Sequence, residues 1–361
     1  MKQLVVITIF FYAVFSCYAQ EDKTSINSLI YEAKKKKIEN YYELCRFFKF
    51  GKLEKEEINL FLEESKKNKF EPAQIYAYNL LGRHYRNNSL FDKSIDNYLK
   101  ALELSRKIKD INAEIVTLNQ IGVVYRRQDK IRSALNYHQM ALELADKIKF
   151  PDIDTKISIS ISNNSIGNIY LALKQYQLAL EKFKKSILIQ KKTGDKRGLA
   201  INYQNMGLAF QNLGDIDAAL EHYKKSLQYN IETNSSIGKV ICHNSIANVL
   251  LLQGKYHKAY NYISEVLPLS EKIGDQYYTS DVYITFGNVQ LKLDSLDKAK
   301  KYLEKGLEVA TKHKIPSEVN QSNLYLSQLY EKKRITRKRI TFIRKLLKEN
   351  VKRLITKTYL M

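Results

Sequence analysis

A period of 40 residues constrains this chain more than any other feature. Small residues recur at Gly82, Gly122, Gly167, Gly207, Ala247, Gly287 and Ser327, at intervals of 40, 45, 40, 40, 40 and 40. One five-residue insertion accounts for the single irregular step. Twelve residues after each of the first six comes another small residue: Ser94, Ala134, Ala179, Ala219, Ala259 or Ala299. Four further on stands a bulky one: Tyr98, His138, Phe183, Tyr223, Ile263 or Leu303. Three beyond that comes Ala101, Ala141, Ser186, Ser226, Val266 or Gly306. Each unit must therefore hold two segments in close approach, with the small side chain of one leaving room for the bulky side chain of the other.

The apolar spacing within each segment is helical. Tyr203, Met206, Gly207 and Phe210 form the stripe of one helix, and Ala219, Leu220, Tyr223 and Leu227 that of its mate. Gly214-Asp215 supplies the turn between them, as Gly254 does one period later, while Gly194 and Gly274 sit where a helix C-cap wants positive φ. Every glycine except Gly51 falls in one of these slots or in the pair Gly198 and Gly238, so none is left to build a phosphate loop.

The segment Tyr78-Asn79-Leu80-Leu81-Gly82-Arg83-His84-Tyr85, followed by Ser94, Tyr98 and Ala101, resembles the tetratricopeptide repeat signature. The longer period is similar to the variant of kinesin light chains and related bacterial regulators. The resemblance runs from about residue 75 to 330; the unit around Ala247 departs from it, with Leu250 where an aromatic is usual. It implies an all-α, right-handed superhelical solenoid of antiparallel helix pairs. The expected organisation is six units over 75–319, a first helix of a seventh unit over 320–333, and a helical segment 20–74. The period extended backward reads a degenerate leading repeat into that segment, with Tyr42 in its small slot.

Stacked pairs present an extended concave surface, and the resemblance implies that the first helices line it. The residue three before each small position would face inward: Asn79, Asn119, Asn164, Gln204, Asn244 and then Ile284. The residue just after adds Arg83, Asn168, Leu208, Asn248 and Asn288. A carboxamide both donates and accepts, so a row of them suits the backbone of an extended peptide. Arg83, Arg86, Arg126 and Arg127 gather where they would receive acidic groups. The plainer use of the same amides is to cross-link neighbouring helices. On the ligand reading, a double Asn119→Ala, Asn164→Ala variant stays folded and loses its partner.

No catalytic or metal constellation is expected, and no cofactor. His138 occupies the bulky slot of its repeat, Cys242-His243 has no second pair at metal spacing, and no nucleophile-elbow, zincin, P-loop or dinucleotide string occurs. The partner class is a protein or peptide. Lys and Arg number 60 against 38 Asp and Glu, a formal charge of +22. Residues 331–361 hold twelve Lys/Arg and two Glu, hence +10, leaving +12 for the other 330. A nucleic-acid partner is therefore not expected.

The chain ends carry separate signals. Lys2, the apolar run Leu4 to Phe15, and small residues at Cys17 and Ala19 read as a signal peptide over 1–19, so the protein is expected to be exported to the periplasm or cell envelope. A retained anchor and a lipoprotein form are the alternatives. At the other end the seventh unit stops matching abruptly, with Arg339 in its small slot. The tail 334–361 has three readings: a basic capping helix with Ile343, Leu347, Val351 and Leu354 inside, a helix for an anionic membrane surface, or an out-of-frame extension. The last would make the chain the sensory part of a truncated envelope receptor.

Overall fold

The computed structural model describes residues 26–48 and 53–334; the segment 1–19 read as a signal peptide and the tail beyond residue 334 lie outside them. The described residues are helical, with no strand. The chain divides into two compact units, Met1–Asp195 and Lys196–Met361.

The first unit begins with α1 (26–35), α2 (Tyr41–Phe48) and α3 (Lys55–Lys67). Three helix pairs follow: α4 (Glu71–Asn87) with α5 (Phe91–Ile108), α6 (Ile111–Arg127) with α7 (Ile131–Asp146), and α8 (Ile153–Ala172) with α9 (Tyr176–Thr193). Each pair stacks on the next, through α5 on α6 and α7 on α8. The second unit repeats the scheme with α10 (Lys196–Asn212) and α11 (Ile216–Glu232), α12 (Ser236–Leu252) and α13 (Tyr256–Ile273), and α14 (Gln276–Lys292) and α15 (Leu296–Lys312). Helix α16 (316–334) packs Leu326 and Leu329 against Ile284, Leu291 and Leu303, and Lys333 bonds Asp297 at 2.8 Å.

The pair contact is the one the columns imply. A Cβ placed on Gly82, Gly167 or Gly207 would come within 2.5 Å of the Tyr98, Phe183 or Tyr223 ring, and one on Gly122 within 2.7 Å of His138 Nε2. Those four bulky side chains are buried. Where the small column carries Ala247, the facing column carries Ile263, a narrower side chain, and both are buried in the same cluster. Serines in the small columns bond across the pair: Ser94 Oγ donates to Gly82 O at 2.7 Å, Ser186 to Ser160 O at 2.8 Å, and Ser226 to Ala200 O at 2.7 Å. The hydroxyl thus fills the volume of a small residue without leaving a buried polar group unbonded.

The repeat is also visible in the backbone. Within each pair one turn residue takes positive φ: Ser89, Asp129, Lys174, Gly214, Gly254 and Asp294. Glycine occupies only two of the six, although an L side chain pays roughly 1 kcal/mol there. The five-residue insertion falls at the α7–α8 connection, where Phe150 is 83% exposed and Asp152 caps α8 by accepting from Thr155 N.

The segment before the repeats does not pair in the same way. Helix α2 is 8 residues long and lies on α4 and α6. Tyr42 therefore fills no small slot; its hydroxyl bonds Ser158 Oγ of α8 at 2.6 Å.

If the glycine column exists to admit the ring, Gly167→Ala should lower stability by about 1–3 kcal/mol despite alanine's better helix propensity. Phe183→Ile in that background, which recreates the Ala247–Ile263 pairing, should recover part of the loss. Urea denaturation of the two single variants and the double one checks this; strictly additive losses would refute it.

Candidate functional site

The residues expected on the first-helix face divide between the two units. In the first unit Asn79 is buried, donating Nδ2 to Ile75 O at 3.0 Å and to Thr117 Oγ1 of α6 at 3.1 Å. Asn119 is buried between three helices: its Oδ1 accepts from Ser162 Oγ of α8 and meets His138 Nδ1 of α7, both at 2.8 Å. These two amides cross-link helices, the plainer of the two uses the sequence allows. Replacing Asn119 would strip buried His138 Nδ1 of its partner and leave Ser162 only its bond to Ser158 O, so the Asn119→Ala, Asn164→Ala double variant is not a clean binding variant. Asn164 is half-buried and accepts from Asn168 Nδ2 at 3.0 Å.

The arginines of this unit do come together. Arg86 bonds Gln120, and Arg127 Nη1 reaches Arg86 O at 3.3 Å. Burial lowers the pKa of Arg86 and of Arg126, and the charge on Arg127 lowers both further. Arg83 is exposed. Part of the same face is covered by the chain itself. Phe48 of α2 stacks on Tyr76 with ring centroids 6.0 Å apart, Val116 packs against the same cluster, and Arg46 pairs with Asp154 of α8 at 2.5 Å.

The second unit keeps a hollow on this face among the described residues. Gln204 donates to Ser245 Oγ at 2.8 Å, Asn244 Nδ2 donates to Asp281 Oδ2 at 2.7 Å, and Thr285 Oγ1 reaches Asn248 Oδ1 at 3.4 Å. Leu208 is 40% exposed and Ile284 is fully buried. Leu208, Asn244, Asn248 and Asn288 line one hollow of about 300 Å³, together with Gln211, Leu251, Asp281, Gln321 and Tyr325. Asp281 was missed by a reading confined to the positions three before and one after the small column. The signal lay six before it, where the residues run Tyr76, Val116, Ile161, Ile201, Ile241, Asp281 and Gln321. An apolar column turns acidic at one unit. Burial, and then the neighbouring Glu318, push the Asp281 carboxyl up to about 7, while the Asn244 bond works against the shift.

Burial pushes the Cys45 and Cys242 thiols up to about 12 and about 11, so neither is a ready nucleophile at neutral pH. His243 meets Tyr262 O at 3.1 Å. No group of three or more His, Cys, Asp or Glu among the described residues is placed to hold a metal ion. No described helix is long and apolar enough to cross a membrane.

A tetratricopeptide repeat profile matches residues 74–147, 158–230 and 240–312, more than half of the chain. The chain belongs to the tetratricopeptide repeat family. Solved structures agree on the fold. A STAND-class signal-transduction ATPase with a tetratricopeptide repeat sensor, from Pyrococcus horikoshii, superposes with a TM-score of 0.62 at 16% identity, over 85% of this chain and 47% of that one. The Rap conjugation gene regulator of plasmid pLS20, solved with the Phr* peptide, gives 0.56 at 16% identity, over 86% and 96%. BtubC of P. vanneervenii gives 0.54 at 14% identity, over 62% and 92%. No curated protein sequence matches the chain closely enough to count as a relative. Tetratricopeptide arrays are protein-interaction scaffolds, and the helix pairs of each unit here are built as one.

His138 tests the cross-link described above. Its imidazole is buried, its Nε2 has no partner, and burial holds its pKa down at about 3 against an ordinary value of 6.5. A depressed folded-state value means that the unfolded chain binds the proton more tightly. Stability is then full above pH 6.5 and falls as pH drops from 6.5 toward 3. At pH 4.5 the loss from this one group is about 2–3 kcal/mol. His138→Phe, which matches Phe183 of the next unit, should lose markedly less between pH 7 and pH 4.5 in urea melts; a variant with the parent's pH dependence would refute the assignment.

Proposed function

We propose that this protein is a non-catalytic scaffold that holds an extended peptide segment on the first-helix face of its second unit. The observation that carries this reading is the hollow around Leu208, Asn248 and Asn288, where amides and an exposed leucine converge on space that the described residues do not fill. Amides of this kind meet the N–H and C=O groups of a backbone without dictating its sequence, and Leu208 and Leu251 supply apolar footing for its side chains. The first unit contributes the arginine cluster Arg83, Arg86 and Arg126, suited to acidic groups, on a face that α2 already partly occupies. That the Phr* peptide accompanies the similar Rap regulator supports a peptide as the partner class. Residues 1–19 support the further proposal that the scaffold works in the periplasm or cell envelope.

Screening the full-length mature chain against an immobilised library of random hexapeptides tests the reading. Peptides should be recovered that bind the parent and bind an Asn248→Ala, Leu208→Ala variant at least about tenfold more weakly, a difference of 1.4 kcal/mol. That variant should keep the parent's helical circular dichroism, because Asn248 is only half-buried and makes one long bond, while Leu208 is exposed. Recovery of no peptide, or peptides indifferent to both substitutions, would overturn the proposal.

A further inference from the structure

The hollow of the second unit is unusual for its chemical one-sidedness. Asn244 is 5% exposed, and its Nδ2 bond to Asp281 fixes which way the amide points, leaving Oδ1 buried with no partner. Asn288, 6% exposed, likewise has an unbonded Oδ1. Behind them Glu318 of α16, 4% exposed, has Oε2 without a partner. The two amide oxygens that line the hollow are orphaned acceptors; Glu318 Oε2 and, one turn along α16, Ser322 Oγ are also without partners but are not among its lining residues. A buried acceptor left unmade costs about 1–3 kcal/mol, so the two amides call for a donor.

The charges point the same way. Asp281 lines the hollow with these amides; burial and then Glu318 disfavour the charge on its carboxyl, and the Asn244 bond favours it. The chain carries +22 overall, yet this hollow is locally acidic and unpaired. A neutral donor would satisfy the amides but leave two carboxyl groups facing each other, whereas a cationic donor answers both needs. Building on the peptide reading above, we propose that the hollow is a subsite for one cationic side chain of the bound segment, an arginine guanidinium or a lysine ammonium. Asp281 is its counter-ion, and Asn244 and Asn288 are neutral acceptors. The aliphatic stem of such a side chain runs along Leu208 and Leu251, as long basic side chains do on apolar surface. A guanidinium presents five donors, enough for Asp281 and both amides together.

The test needs no peptide. The full-length mature chain, labelled with ¹⁵N at asparagine, is titrated with Nα-acetyl-arginine methylamide. The neutral isostere Nα-acetyl-citrulline methylamide serves as the control, and calcium chloride is a separate probe. The arginine derivative should shift the side-chain amide signals of Asn244 and Asn288, and citrulline should bind at least tenfold more weakly. Calcium should leave both signals in place. Asp281→Asn, which keeps the shape of the site, should bring arginine binding down to the citrulline level while retaining the helical circular dichroism of the parent. Glu318→Gln, on a different helix, should weaken it less. Equal binding of arginine and citrulline, arginine binding unchanged in Asp281→Asn, no shift at all, or a response to calcium alone would each overturn the proposal. The hexapeptide screen separates this from the broader reading. Peptides recovered without enrichment in Arg or Lys would end the subsite and leave the scaffold standing, and an empty screen would end the scaffold.

Discussion

The structure rests on one contact, a bulky side chain seated on the bare Cα of a small residue sixteen positions earlier. It lets the two helices of a pair approach until the ring of Tyr98, Phe183 or Tyr223 leaves no space for a methyl group on the glycine it covers. Dispersion between atoms packed this closely, together with burial of an entire aromatic side chain, is the main return each unit gets from forming. The contact is local to the unit, so it can be repeated without end and survives conservative exchange. Ile263 against Ala247 and Leu303 against Gly287 keep the fit with different atoms. Because the inward faces are committed to it, variation is confined to the outer faces and to the first-helix positions beside the small residue.

Those first-helix positions show why a column of amides did not declare its own purpose. Asn79, Asn119 and Asn244 look alike along the sequence, yet they end in a threonine bond, a histidine–serine bridge and a bond to a carboxylate. What separates them is the residue that the next unit offers at the same height: Thr117 for Asn79, Ser162 for Asn119, Asp281 for Asn244. A hydroxyl closes the amide into the scaffold, because it both donates and accepts. A carboxylate takes only the N–H and leaves the amide oxygen looking for a donor. The helix pairs were therefore legible from periodicity alone, while the fate of each polar side chain depended on a partner 37 to 43 residues away.

The leading segment was illegible for a related reason. Helix α2 is held by Tyr42 to Ser158, Arg46 to Asp154 and Phe48 to Tyr76, contacts that belong to no repeat register. Forcing the period backward put Tyr42 in a slot meant for glycine. A tyrosine there would have required the very approach that the small column exists to permit. The short helix α2 packs across α4 and α6, while α3 stacks on α4 as α5 does on α6.

The acidic position six before the small column reverses this logic. In five successive units that position is Tyr76, Val116, Ile161, Ile201 or Ile241, with Ile161 and Ile201 exposed, and in the seventh it is Gln321. Asp281 places a carboxyl group where burial and Glu318 disfavour its charge. It makes one bond in return, to an amide that thereby strands its own oxygen. A local rule broken with no structural gain in the same place is what a binding position looks like in a fold otherwise consistent at every level. No other unit places a carboxylate at this position, and a cation arriving from outside supplies what the scaffold withholds.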